Sequence, residues 1–259
     1  MKILMVGNSH VASFQRGWNV LAPHCPNVSI TTYPHWRQFY GLFATDESTG
    51  RIHMTDPPTR QKFARMNGGD GSFRPLDYDL CLIVGGGRLW CGLAEGKYSH
   101  QMQNAAVHDY IDGLHQTVLL RKIRAVSDIP VLIVTNPHFA SRTGISIEYL
   151  PPFENGLALA NAKLGPELDA ILLTQPPETE QSRRLSKLEF AVGERMLHTW
   201  IRAPSPPFFK DDLCHMNAAF GTIYLRDILR GLGQTIGDVK IPPAEGCLRL
   251  ADKTDPIQL

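Results

Sequence analysis

The sequence predicts an α/β protein built on a mostly parallel, doubly wound sheet of about five strands. Three observations lead there. Short apolar runs closed by glycine or turn residues recur along the chain, and such runs fit strands buried on both faces. Apolar patterns of helical period separate them, and strand–helix alternation is the signature of a parallel sheet. The unusual loops, Asn8-Ser9-His10, Gly85-Gly86-Gly87 and Asn136-Pro137-His138, each follow one of these runs. A parallel sheet would gather them at the edge where ligands bind.

The elements follow in order. Ile3 to Val6 is the first strand, ended by Gly7, and Val11, Phe14, Trp18 and Leu21 then recur at helical spacing. Val28 to Tyr33, rich in β-branched residues, is the second strand. Thr45 to Asp77 breaks the rhythm. It is polar, carries Pro57-Pro58 and the Asn67-Gly68-Gly69-Asp70-Gly71 cluster, and is expected to be an insertion or surface loop over 45–77. Leu80 to Val84 is the third strand. About Asn104 to Val126 is expected as one long helix, with Val107, Ile111, Leu114 and Val118 on one face. Val131 to Thr135 is the fourth strand. A second insertion is expected over 141–181, where Ala170 to Thr174 fits either a strand or a buried helical turn. Ser182 to Trp200 has a helical pattern through Leu185, Leu188, Val192, Met196 and Trp200. The last helix runs from about Asn217 to Arg230, with Asn217 as its cap and Gly231 as its stop. No internal repeat is present, and the 259 residues are expected to form a single domain.

Composition narrows the function. Lysine plus arginine number 26 and aspartate plus glutamate 25, a net charge of +1, which argues against a general nucleic-acid binder. No stretch approaches the roughly 20 apolar residues that span a bilayer, so no membrane partner is expected. Cys25, Cys81, Cys91, Cys214 and Cys247 are odd in number and form no CxxC pair. A reducing compartment is the simpler reading, and a cytoplasmic location is expected. The ten histidines form no HExxH or comparable helical ligand pair, so no metal is expected, and no organic cofactor either. Oligomeric state is left open.

Ser9 sits in the turn between a buried strand and a helix. A hydroxyl there faces the strand-end edge at the positive end of the helix, the placement of a nucleophile. It is also the favoured placement of a capping serine, and the turn alone points there first. Asp212 and His215 stand three apart in a loop ahead of the last helix. That spacing lets the carboxylate hold one imidazole nitrogen while the other faces a serine. Asp112 and His115 have the same spacing inside a predicted helix and read as surface residues. The pair by itself is therefore a weak signal.

Together, Gly7-Asn8-Ser9-His10 after the first strand and Asp212-x-x-His215 near the C-terminus resemble the SGNH hydrolases, the GDSL esterase/lipase family. The resemblance rests on two short blocks at the chain ends and on the order of elements. It implies a flavodoxin-like three-layer α/β/α sandwich, with Ser9 as nucleophile, His215 as general base and acid, and Asp212 orienting His215. It also implies a small-molecule or carbohydrate ester as substrate, O-acetyl groups among them, with hydrolysis or acyl transfer as the reaction. The chain departs from the family in two places. Asn8 stands where aspartate is common. Gly87 falls where the family has an oxyanion-donating asparagine, leaving only a backbone N–H. Gly41 is the nearest match to the family's second-block glycine. Asn136 is a candidate replacement amide by location, although Asn-Pro also initiates turns. A rival reading is a non-catalytic module that binds a phosphorylated ligand at the Gly85–Gly87 loop.

Overall fold

The computed structural model describes residues 1–35, 40–87, 98–140, 153–182, 185–191 and 215–241. The fold class is the predicted one, a three-layer α/β fold on a mainly parallel five-stranded sheet flanked by helices. The chain divides into two compact units.

The first unit, residues 1–11, 26–136 and 145–175, holds the sheet. Its parallel strands are β1 (Lys2–Gly7), β2 (Ser29–Pro34), β6 (Leu80–Val84), β7 (Val131–Val134) and β8 (Ala170–Leu173), in the spatial order β2-β1-β6-β7-β8. This is the flavodoxin-like order, in which the chain reverses direction across the sheet beside β1. Strands β1 and β6 are buried from Ile3 to Val6 and from Leu80 to Val84, as their unbroken apolar runs require. Register brings all five strands to a common end, Gly7 pairing with Pro34 and Val84, Val84 with Val134, and Val134 with Leu173. The ambiguous 170–174 segment is the edge strand β8, preceded by helix α5 (Phe153–Leu168).

The expected long helix is two, α3 (His100–Gly113) and α4 (His115–Arg124). Leu114 between them is extended, with φ −68° and ψ 128°. The Ile111 carbonyl there accepts from Leu114 N–H at 3.2 Å and from the Thr117 hydroxyl at 2.7 Å. A threonine competing for a helix carbonyl just after Gly113 ends one helix and starts the next. Val107, Ile111 and Leu114 of the expected face are buried, but Val118 is half-buried and α4 turns Leu119, Leu120 and Ile123 inward instead, so the apolar face shifts across the break. Val107, Ile111, Leu119, Leu120 and Ile123 join one core with Leu4, Val6, Ile83, Ile133 and Leu172 of the sheet.

The segment 45–77, expected as an insertion or surface loop, carries secondary structure of its own. It forms an antiparallel sheet of β3 (Phe43–Asp46), β4 (Arg51–Met54) and β5 (Ser72–Phe73), with helix α2 (Pro57–Asn67) between the last two. The Asp56 side chain accepts from Thr59 N–H at 2.9 Å and caps α2. Pro57-Pro58 thus marks the first turn of a helix, where proline has no N–H to lose. Four apolar side chains spaced too sparsely to show a period, Phe43, Ile52, Met54 and Phe73, are buried.

The second unit, residues 12–25, 137–144 and 176–259, carries most of α1 (Val11–Leu21) and all of α6 (Ala218–Gly231). The two helices meet at glycines. A Cβ on Gly221 would lie 1.9 Å from the Ser13 carbonyl oxygen, and one on Gly17 2.3 Å from the Gly221 carbonyl carbon. Asn217 caps α6 as expected, accepting from Phe220 N–H at 3.2 Å. The helix expected from Ser182 is not formed over its described part. Glu180–Ser182 (β9) and Leu185–Ser186 (β10) pair antiparallel, and Leu188–Ala191 is a 3-10 turn. Ser186 N–H donates to the Phe139 carbonyl at 3.0 Å and Lys187 N–H to the Thr179 carbonyl at 3.0 Å. These backbone groups find non-local partners, which a helical period cannot reveal. Val192, Met196 and Trp200 lie outside the described residues. Among the described residues no helix is long and apolar enough to cross a membrane.

Candidate functional site

The crevice outside the carboxyl ends of β1 and β6 is the topological switch point, the general ligand site of open parallel sheets. Two turns from the first unit meet there. Asn8-Ser9-His10 leaves β1 through an Asx turn. The Asn8 side-chain oxygen accepts from His10 N–H at 3.1 Å, and the Asn8 carbonyl accepts from Val11 N–H at 3.1 Å. Asparagine makes this turn because its short side chain reaches the backbone two residues on. Ser9, at the tip, is partly exposed, and His10 is buried.

Gly85 and Gly86 leave β6 with φ of +80° and +106°, a region that a Cβ makes costly. A Cβ on Gly85 would lie 2.1 Å from the Asn8 side-chain oxygen, and one on Gly86 2.7 Å from Gln116 Cδ. The glycines therefore allow two side-chain amides to close on the backbone. Gly85 N–H donates to the Val134 carbonyl at 2.8 Å and Gly86 N–H to Asn136 Oδ1 at 3.0 Å. Two of the three loop N–H groups are thus engaged by the protein itself, which weakens the phosphate-cradle reading. The buried Tyr40 hydroxyl donates to the Val84 carbonyl at 2.8 Å. Burial pushes its pKa far up, so it stays a neutral donor.

Asn136 leaves β7 at the same edge. Its N–H donates to the Gly87 carbonyl at 2.8 Å, and its Oδ1 accepts from Gly86 N–H and, at 3.4 Å, from Asn8 Nδ2. Both amide orientations follow from backbone donors. Gly86 N–H and His10 N–H can only donate, so the side-chain atoms facing them are oxygens. Asn136 Nδ2 is left with no partner among the described residues, on a half-buried side chain. Gln116, in the first turn of α4, is fully buried against Gly86, and neither its Nε2 nor its Oε1 has a hydrogen-bond partner.

The other candidates are placed as follows. Gly41 is exposed in the 3-10 turn Tyr40–Leu42, its carbonyl accepting from Lys122 Nζ at 3.2 Å. Ser9, Gly41, Gly87 and Asn136 all belong to the first unit, and His215 to the second. His215 is half-buried, two residues before the Asn217 cap, whose N–H and Nδ2 each donate at 2.7 Å, to the Phe190 and Glu189 carbonyls. Asp212 lies outside the described residues. Among the described residues no group of three or more His, Cys, Asp or Glu is arranged to hold a metal ion. The sequence assigns no role in the site to Asn8 or Gln116. The Asx pattern of Asn8 is a usable signal for its turn, whereas nothing in the sequence marks Gln116.

No protein-family model and no curated protein matches the sequence. Solved structures with a similar fold include esterases and an acyltransferase. A carbohydrate esterase family 3 protein from Talaromyces cellulolyticus is 14% identical, with a TM-score of 0.39 over 93% of this chain and 100% of that one. A carbohydrate acetylesterase family member from Sinorhizobium meliloti is 12% identical, with a TM-score of 0.36 over 90% of this chain and 100% of that one. A salicylyl-acyltransferase from a tetracycline biosynthetic pathway is 11% identical, with a TM-score of 0.41 over 90% of this chain and 55% of that one.

Proposed function

We propose that the chain is an SGNH-type serine hydrolase or acyltransferase acting on small acyl esters, O-acetyl groups of carbohydrates among them. The observation that carries the reading is the pair of groups at the switch point. Ser9 stands in the turn after β1, and Asn136, whose Nδ2 has no partner among the described residues, leaves β7 at the same edge. A hydroxyl nucleophile and a donor for the developing negative charge are the two things an acyl-transfer site must hold in place.

In this reading Ser9 Oγ adds to the ester carbonyl carbon while its proton passes to His215. Asp212 accepts from the other imidazole nitrogen and stabilises the imidazolium. The carbonyl oxygen, now negative, is held by Asn136 Nδ2 and by backbone N–H groups of the edge, with Gly87 and Gly41 as candidates. Collapse breaks the bond to the alcohol oxygen, which takes the proton from His215. Water or a second alcohol then releases the acyl group by the same steps in reverse order of bonds, and Ser9 regains its proton.

The test needs no guess at the substrate. The folded protein is treated with a small fluorophosphonate at neutral pH, and intact mass is followed. One adduct is expected, mapping to Ser9 and absent from Ser9→Ala and His215→Ala, both of which keep the wild-type melting temperature within a few degrees. A well-folded wild type that takes up no label removes the nucleophile and with it the reading.

A further inference from the structure

We infer that Asn8 is a positioning residue for the oxyanion site, a second donor that holds the Asn136 amide in the orientation the Gly86 N–H gives it. The inference rests on the hydrolase reading of the same edge.

Asn8 divides its amide between two tasks. Its oxygen accepts from His10 N–H at 3.1 Å and shapes the turn that carries Ser9. Its nitrogen donates to Asn136 Oδ1 at 3.4 Å, beside the 3.0 Å bond from Gly86 N–H. Two donors therefore converge on one oxygen. Rotating the Asn136 amide by half a turn would set its N–H2 against both, so the oxygen stays on these donors and Nδ2 on the other side of the amide. The nucleophile turn and the oxyanion amide are thus linked through one side chain. Its room is provided by Gly85, where a Cβ would lie 2.1 Å from the Asn8 oxygen.

The substitution Asn8→Asp separates the two tasks. The new carboxylate still accepts from His10 N–H, so the turn is kept. It cannot donate to Asn136, and instead presents an oxygen to an oxygen. A hydrogen bond to a carboxylate is roughly twice as strong as a neutral one. Asn136 is therefore expected to rotate and give Nδ2 to that carboxylate. The rotation leaves Gly86 N–H without an acceptor and withdraws the donor from the substrate. Asn8→Ser is the milder change, since a serine hydroxyl can also accept from His10 N–H but is too short to reach Asn136.

The experiment is a double-mutant cycle read by 4-nitrophenyl acetate turnover and by the rate of fluorophosphonate labelling. Asn8→Asp and Asn136→Ala are each expected to lower kcat about 100-fold, the scale of one lost oxyanion donor, with little change in KM. Asn8→Ser is expected to lower it about 10-fold, since the turn survives and only the second donor to Asn136 is lost. The double variant Asn8→Asp/Asn136→Ala is expected to be no slower than the worse single, because Asn8 acts through Asn136. Multiplying effects, or wild-type kcat in Asn8→Asp, overturn the inference while a labelled wild type keeps the hydrolase reading. An unlabelled wild type that turns over no ester ends both. If Asn8→Asp does not fold, Asn8→Ser in the Asn136→Ala background decides by the same rule.

Discussion

At the scale of single residues, the edge beyond β6 is made of amides, and they differ in how they are used. Asn8 and Asn136 are engaged with each other and with backbone, whereas Gln116 is buried against Gly86 with no partner for either amide atom. A buried amide with no partner is destabilising by about 1–3 kcal/mol, and an apolar group of similar shape relieves that cost. Gln116→Leu is therefore expected to hold or raise the melting temperature, measured by calorimetry. A fall of several degrees would mean that the amide serves a bond within the fold. The two kinds of amide are unequally legible in the sequence. Asn8 stands in an Asx-turn pattern, and Ser9 after a glycine-closed strand, so their turn can be read locally. Asn136 reads as a turn initiator because its use depends on Gly86, fifty residues away, which only the sheet register brings near.

At the scale of elements, local chemistry is legible where the partners are local. The α6 cap at Asn217 is of this kind, and β1, β2, β6 and β7 are legible from their own apolar runs although their pairing is long-range. The small antiparallel sheet with α2 is not, because it is held by a hub whose members are spread from Arg51 to Ser72. Asp70 accepts from the Ser72 hydroxyl at 2.6 Å, Ser72 N–H at 3.0 Å, Arg60 at 3.0 Å and Arg51 at 3.3 Å. The Ser72 hydroxyl, then its N–H and the guanidinium groups, hold the Asp70 carboxyl well below the usual carboxylate range. A carboxyl depressed in the folded state stabilises it above the unfolded pKa, about 3.9, and that stability is lost as pH falls towards the folded value. Asp70→Asn is thus expected to be less stable than wild type at pH 7, by roughly 1 kcal/mol at most because the partners are half exposed. The gap should narrow below about pH 4, which melts at pH 7 and pH 3 would reveal. A gap that is unchanged or wider at pH 3 would contradict the assignment.

At the scale of the whole molecule, the sheet has a protected middle and two edges. β1, β6 and β7 have a strand on each side, while β8 has one neighbour and leaves Ile171 about half exposed. Arg124 anchors the start of β8, donating to the Leu168, Asp169 and Ile129 carbonyls at 2.6, 2.6 and 2.7 Å. Exchange protection follows burial and pairing. Amides of β1 and β6 are expected to exchange slowest by mass spectrometry and those of β8 earlier, and β8 peptides as slow as β1 would refute this. The fold class is legible at this scale because alternation of period leaves few topologies. The division into two units is not, since the second is assembled from three separated stretches of chain.

The shared finishing line of the five strands bears on how such a chain can change over generations. With Gly7, Pro34, Val84, Val134 and Leu173 abreast, each loop departs from the same level, like fingers from one row of knuckles. A loop can lengthen, shorten or be replaced without any ladder slipping by a residue, a slip that would turn a whole strand inside out. Novelty is thereby confined to the rim, and the framework beneath can stay constant while what it handles drifts.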